Sequence, residues 1–227
     1  QLETSAVRAR GWEEHLTLHE AVRELLVLSS WSTLGFSRLY VSRNDDPKLN
    51  PRDNSPLDRW SRVATHRVRI HQPWNRPPRF LFEFGDIGPQ GVGRWLKLRS
   101  QLGRVFQPLI GLRDEPNTYG ETDMLMVGIS LEALGFYLAQ KHGMQTGKQL
   151  RFSGAVQYVL DDMSYIPLDD PEDWASRTRR IYTAIKHADN PYPDSLDLLN
   201  TARECILVIR VWLAQQLGCP SRVLKQR

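Results

Sequence analysis

The sequence predicts a mainly α-helical protein, with a helical bundle in its C-terminal half and a smaller mixed α/β region before it. Two observations lead to this fold class. Residues 114–227 hold four apolar-periodic segments joined by short turns, a pattern typical of a bundle. Residues 36–43 and 61–70 instead alternate polar residues with β-branched or aromatic ones, as strands do.

Composition is that of an ordinary globular protein, with 41% hydrophobic and 25% charged residues in a chain of 227. The net charge of +4 is too small by itself to identify nucleic acid as a partner. Cys205 and Cys219 lack metal-binding spacing, and the chain has no uninterrupted apolar run long enough to cross a bilayer. We therefore expect a cytoplasmic protein without a membrane partner.

The N-terminal half contains fewer regular elements. A helix is expected over residues 17–31 behind a Thr17 cap, followed by the two strand-like segments. Residues 86–113 then predict one or two helices, broken near Gly103 and Pro108. The predicted organisation is a mixed region over 1–85, a helical linker over 86–113 and a helical domain over 114–227.

The first two helices of the bundle follow from apolar runs. Residues 124–139 carry a single charged side chain, Glu132, which predicts a helix buried on most sides. A second helix is expected over residues 149–163. Because a carboxylate in an apolar helix needs a partner, Glu132 is also a candidate site residue that either orients another side chain or forms a structural ion pair.

Capping residues define the last two helices. Asp170 followed by Pro171 predicts a helix that runs to about Ala188. The final helix is expected from Asp194 to Leu217, ending at Gly218. Its predicted buried face comprises Leu196, Leu199, Ile206, Ile209, Leu213 and Leu217.

The segment RRIYTAIKHAD contains the main candidate for chemistry. On an ideal helix Arg180 and His187 lie about 20° apart, with Thr183 between them. A histidine can move a proton near neutral pH, and an arginine can hold phosphate oxygens, so the pair suits phosphodiester cleavage. An exposed helical face with the same two residues but no function is the competing interpretation.

The order of these helices, with SLEAL in the first, RRIYTAIKHAD in the third and VIRVWLAQQLG in the last, resembles the HEPN domain of ApeA-like anti-phage defence proteins. The segment FEFGDIGPQGVGRWLKL resembles that family's linker. The mixed region before it is placed as the end of the family's N-terminal domain. The resemblance implies a metal-independent ribonuclease site, formed by two protomers, in which an arginine precedes a histidine by four to six intervening residues.

Carried over to this chain, His187 takes the histidine position and Arg180 the arginine position at the upper limit of the spacing. The commonest spacing instead points to Tyr182 and places Thr183 at the polar position that follows. A tyrosine has no permanent positive charge, so Arg180 or Arg179 substitutes for the arginine or the site is weak. In the implied mechanism His187 is general acid or base, and a ribose 2′-hydroxyl attacks the phosphate.

Two further patterns could indicate RNA binding or metal binding. Arginines between residues 59 and 79 are interleaved with tryptophans, and Arg67, Arg69 and Arg76, with Lys186, are candidate RNA contacts; solvated strands explain the arginines equally well. His15 and His19 have the spacing of a metal-binding pair, but an exposed helical face is the favoured interpretation. No metal or cofactor is predicted.

The functional hypothesis is a HEPN-type endoribonuclease of anti-phage defence, acting as a homodimer on RNA, with tRNA as one candidate substrate. The alternative is a non-catalytic HEPN-like module that dimerises or binds RNA or protein. Tyr182, in the position where the resemblance places an arginine, is the feature that keeps this alternative open.

Overall fold

The computed structural model describes residues 2–8, 10–42, 48–57, 60–65, 78–115, 120–144, 150–187 and 189–226. Contacts divide the chain into two compact units, residues 1–26 with 33–78, and residues 27–32 with 79–227. Helices dominate the described residues and strands are few, which confirms the predicted fold class.

The first unit contains most of helix α1, Trp12–Ser30, and two small strand pairs. The prediction that this helix begins behind Thr17 is wrong, because Thr17 lies inside it and its hydroxyl donates to the Glu13 carbonyl at 3.0 Å. Glu13 and Glu14 occupy the first turn, where acidic side chains stabilise the positive end of the helix dipole.

Both strand pairs are antiparallel and very short. Strand β1, Tyr40–Val41, pairs with β4, Ser61–Arg62, inside the two segments predicted to form strands. Strand β2, Lys48–Leu49, pairs with β3, Pro56–Leu57, in a stretch where the sequence predicts no strand. Asp, Asn and Pro fit a pleated strand poorly, so the sequence signal there is that of a turn.

The second unit is a helical bundle, which confirms the predicted architecture. Its helices are α2 Phe84–Gln101, α3 Gly103–Asp114, α4 Gly120–Lys141, α5 Phe152–Asp161, α6 Pro171–Lys186, α7 Ser195–Leu217 and the short α8 Ser221–Leu224. Helix α4 is central, since it contacts α3, α5, α6 and α7. Trp95, Trp174 and Trp212 are fully buried in its core.

Helix α4 also passes a composition test for membrane spanning. Within the described parts of the chain it is the one helix both long and apolar enough to cross a bilayer. Half of its apolar window is buried by neighbouring helices, and the core helix of a water-soluble protein passes the same test. The packing therefore accounts for its composition without a membrane.

The two helix breaks predicted within residues 86–113 have different outcomes. The chain does break at Leu102, next to Gly103, between α2 and α3. The predicted break at Pro108 is wrong, because α3 continues through it. Burial of Phe106, Leu109 and their neighbours on one face of α3 offsets the hydrogen bond that the proline cannot donate.

The caps of the last helices are confirmed. Asp170 accepts a hydrogen bond from the Asp173 amide at 2.9 Å, and Asp194 caps α7 in the same way. Gly218 ends α7 in the left-handed region at φ 92°. Cys205 is fully buried in α7, as its apolar surroundings indicate.

The predicted buried face of α7 is wrong in its first turn. Leu196 is 65% exposed and Leu199 is 37% exposed, whereas Leu198 is buried. Three leucines in four residues permit several registers of an apolar stripe. The close approach of Leu198 and Leu199 to Gly120 at the start of α4 sets the observed register.

Asp162, directly after α5, ties three helices together. Its Oδ2 accepts hydrogen bonds from the Trp212 indole at 2.9 Å and from the Gln216 amide at 3.0 Å, both on α7. Its Oδ1 lies 3.4 Å from Lys141 Nζ and 3.6 Å from His142 Nε2 at the end of α4. This carboxylate fixes the loop that leads into α6.

Candidate functional site

Helix α6 divides its side chains between the core and the surface. Trp174, Thr178, Ile181 and Tyr182 are buried against the bundle. Three of the predicted site residues lie on the opposite, exposed side, namely Arg179, Arg180 and Thr183. Tyr182, the position at which the family's commonest spacing points to an arginine, therefore lies on the buried face of α6.

Helix α6 ends at Lys186, two residues before the predicted end at about Ala188. His187 is exposed and has extended backbone angles, φ −125° and ψ 109°, although its amide still donates to the Thr183 carbonyl at 3.1 Å. The 20° separation expected on an ideal helix therefore does not apply to Arg180 and His187. Asp189 and Asn190 favour a turn, and Pro191 disfavours helical geometry just before it.

Arg180 forms an ion pair with a residue that the sequence did not predict. Its Nη2 lies 3.9 Å from Asp197 Oδ2 in the first turn of α7, and the two side chains are 63% and 51% exposed. Ion pairs this exposed contribute little to stability and exchange readily for other partners. The guanidinium is therefore accessible to an anionic ligand.

Tyr182 is only 2% exposed and donates a hydrogen bond from its hydroxyl to Glu132 Oε2 on α4 at 3.0 Å. Burial raises the pKa of Tyr182, and the charge of Glu132 and the hydrogen bond to it raise that pKa further. The phenol is consequently neutral at any physiological pH. It supplies no positive charge at this position.

Glu132 has a second partner at the end of α6. Its Oε1 lies 3.9 Å from Lys186 Nζ, and the two side chains are 40% and 43% exposed. The same ammonium lies 4.8 Å from the centroid of the Tyr182 ring. The sequence left two roles open for Glu132, namely orienting another side chain or forming a structural ion pair. Its described contacts are with Tyr182 and Lys186, and not with His187 or an arginine.

Small and aromatic neighbours hold Tyr182 in place. Its ring packs against Phe152 with centroids 4.6 Å apart. A Cβ added to Gly128, one turn before Glu132, would lie 2.3 Å from the ring, so only glycine permits this approach. The sequence identifies Glu132 and Tyr182 separately as candidates but does not predict their contact. The available signal was Gly128, four residues before Glu132 in the same apolar helix.

The remaining candidate residues lie in the N-terminal part of the chain. Arg67, Arg69 and Arg76 lie outside the described residues. In the first unit, His15 and His19 both contact the Thr4 hydroxyl, at 2.9 Å and 3.0 Å. Among the residues that the structure describes, no group of three or more His, Cys, Asp or Glu side chains is placed to hold a metal ion.

Comparison with protein families identifies the domain that carries this site. Residues 138–223 match the family described as Apea-like HEPN, a span that begins late in α4 and includes Tyr182, Lys186 and His187. This part of the chain is a HEPN domain. The match confirms, for this part of the chain, the resemblance noted in the sequence. No curated protein and no solved structure matches the chain.

Proposed function

We propose that the chain is a metal-independent endoribonuclease of HEPN type. The observation that carries the proposal is an exposed histidine, His187, at the end of α6 inside the matched HEPN region, with exposed cationic side chains on the same helix. A histidine buried against the core would have no access to RNA. An exposed one beside Lys186 has that access.

The reaction is attack of a ribose 2′-hydroxyl on the adjacent phosphate. His187 accepts the hydroxyl proton or protonates the departing 5′-oxygen, the role of an imidazole in general acid–base catalysis. A cation on α6 stabilises the charge on the pentacovalent phosphate, and the exposed candidates are Arg179, Arg180 and Lys186. The products are a 2′,3′-cyclic phosphate and a 5′-hydroxyl.

We propose further that two copies associate, each contributing a His187 to a shared site. Support comes from Ile129 and Phe136, which are seven residues apart on α4 and 43% and 39% exposed. On a helix these two side chains lie on one face, and Glu132 borders that face. An exposed apolar stripe next to the candidate site is a suitable contact for a second copy.

The biological role that fits these features is anti-phage defence, in which cleavage of cytoplasmic RNA, with tRNA as a candidate substrate, arrests the infected cell. The match of residues 138–223 to the Apea-like HEPN family supports the assignment.

A non-catalytic HEPN module that binds RNA or protein is the second candidate. The buried, neutral Tyr182 favours it, because the usual family spacing would place an arginine there. Such a module would still dimerise, and RNA would bind without being cut.

The two candidates differ in RNA cleavage. Purified protein is incubated with total RNA and tRNA in EDTA, beside His187→Ala and His142→Ala. His142 is a matched control because it is also exposed, lies in the same domain and contacts Asp162 and Tyr158. We expect His187→Ala to lose at least roughly 100-fold in rate and His142→Ala to retain activity. RNA left intact by the wild type would support the non-catalytic module.

A further inference from the structure

We propose that Lys186 is the phosphate-binding cation of this site and that Glu132 is the residue that positions it. The proposal rests on the proposed function for the identity of the ligand, an RNA phosphate. It goes beyond that function in two ways. It assigns the cation to Lys186, next to His187, and it gives Glu132 on α4 a role in the site.

The first step is the place of Lys186 along the chain. It is the last residue of α6, adjacent to His187, so the two Cα atoms are about 3.8 Å apart. Arg180 lies six residues earlier, roughly 9 Å along the helix axis at 1.5 Å per residue. A phosphate in contact with the His187 imidazole is therefore nearer to the root of Lys186 than to that of Arg180.

The second step is how the ammonium is held. Glu132 Oε1 lies 3.9 Å from Lys186 Nζ on one side, and the Tyr182 ring lies 4.8 Å below it. The lysine side chain remains 43% exposed, so the ammonium also faces solvent. A lysine already restrained in this way loses less conformational freedom when it binds an anion than a freely moving one.

The third step is the rigidity of the support. Glu132 uses its two oxygens for different partners, since Oε2 accepts from the Tyr182 hydroxyl at 3.0 Å while Oε1 faces Lys186. Tyr182 is fixed in turn by Phe152 and by the close approach to Gly128. The buried Tyr182 therefore positions the Lys186 ammonium through the Glu132 carboxylate.

Arg180 has no comparable support. Its one described ion pair, with Asp197, joins two side chains that are each more than half exposed. The Lys186–Glu132 pair is equally long but less exposed, and the buried Tyr182 contacts both of its members, whereas a pair at the surface does not hold a long side chain in one geometry. The structure therefore favours Lys186 over Arg180 as the cation that meets the phosphate.

The binding test uses the full chain with His187→Ala, which removes cleavage, and single-stranded RNA as the probe. The dependence of affinity on salt reports how many phosphates are neutralised. Adding Lys186→Ala is expected to reduce the slope of log K against log salt by roughly 0.7, the value for one single-strand contact. Adding Arg180→Ala tests the competing cation on α6, and we expect it to leave the slope unchanged. The reverse result, or no RNA binding at all, would overturn the proposal.

The positioning role of Glu132 is tested by steady-state cleavage. Glu132→Gln leaves the ammonium charge in place but removes its restraint, so we expect kcat to fall about tenfold with KM unchanged or lower. Tyr182→Phe, which keeps the ring and removes the hydroxyl that holds Glu132, should give a smaller fall in kcat. A purely structural role for Glu132 predicts unchanged kcat in the fraction of protein that is folded, measured by circular dichroism, and that result would contradict positioning.

The two proposals fail separately. A wild type that leaves RNA intact, but whose RNA binding still depends on Lys186, would refute the nuclease and support the phosphate contact. A wild type that cleaves RNA at a rate unchanged by Lys186→Ala, with an unchanged salt slope, would refute the role of Lys186 and leave the nuclease standing.

Discussion

The contact between α4 and α5 is so close at Gly135 that even one added methyl group should destabilise the bundle. A Cβ at this position would lie 2.2 Å from the Ala155 carbonyl oxygen and 2.4 Å from its Cα. Ordinary carbon contacts are about 3.5 Å or more, so the helices must separate by roughly 1 Å. The obstacle is backbone, which cannot rotate away as a side chain can.

The size of the effect follows from two opposing contributions. Overpacking of a core costs about 1–3 kcal/mol, and the upper part of that range applies where backbone meets backbone. Replacement of glycine by alanine inside a helix gains about 1 kcal/mol. For Gly135→Ala we therefore expect the free energy of unfolding to fall by about 1–2 kcal/mol.

Gly93 in α2 is the matched control, because it is exposed and a Cβ there would meet nothing within 4 Å. Gly93→Ala should stabilise the protein by about 1 kcal/mol, so the two identical substitutions should differ by about 2–3 kcal/mol and in sign. Urea unfolding followed by circular dichroism measures both. A Gly135→Ala variant as stable as the wild type, or more so, would refute the close approach of α4 and α5.

Three further predictions concern the same bundle. Asp162→Ala leaves the buried Trp212 indole without its acceptor and should lower the free energy of unfolding by about 2 kcal/mol, measured by thermal unfolding. The control Asp161→Ala removes a surface hydrogen bond to Gln157 and should cost almost nothing. Equal losses of stability would contradict the role of Asp162. Asp170→Ala removes the cap of α6 and should cost about 1 kcal/mol, with the exposed neighbour Asp169→Ala as control, and unchanged stability of the first variant would argue against the cap. Burial raises the pKa of Cys205 from 9.0 to about 12, so above pH 9 the unfolded thiol ionises while the folded one does not. Urea titrations should show the free energy of unfolding falling by roughly 1.4 kcal/mol per pH unit more in the wild type than in Cys205→Ala. Parallel pH profiles of the two proteins would show that the thiol does not contribute.

Much of the bundle can be predicted from the sequence because its signals are local. Asp170, Asp194 and Gly218 mark helix ends through interactions with their own backbone neighbours, so each is readable without tertiary structure. The apolar run of α4 likewise identifies a core helix. The register of α7 is different, since it depends on the packing of Leu198 and Leu199 against Gly120 on another helix.

The candidate site is less predictable for the same reason. The exposed position of His187 follows from a helix end that Pro191 and the residues before it determine over several positions. The partners of Glu132 are fifty or more residues away on α6, and no pattern near Glu132 names them. Tyr182 is buried because α4 has a glycine at residue 128, which is a tertiary property.

The central claim is that His187 cleaves RNA by attack of the 2′-hydroxyl, and end-group analysis tests it most directly. A defined RNA oligonucleotide and the same oligonucleotide with a single 2′-deoxyribose at the mapped cleavage position are incubated with the wild type and with His187→Ala in EDTA. We expect 2′,3′-cyclic phosphate and 5′-hydroxyl ends from the all-RNA substrate with the wild type alone, and no cut at the substituted position. Cleavage at the 2′-deoxy position, or equal cleavage by His187→Ala, would contradict the account.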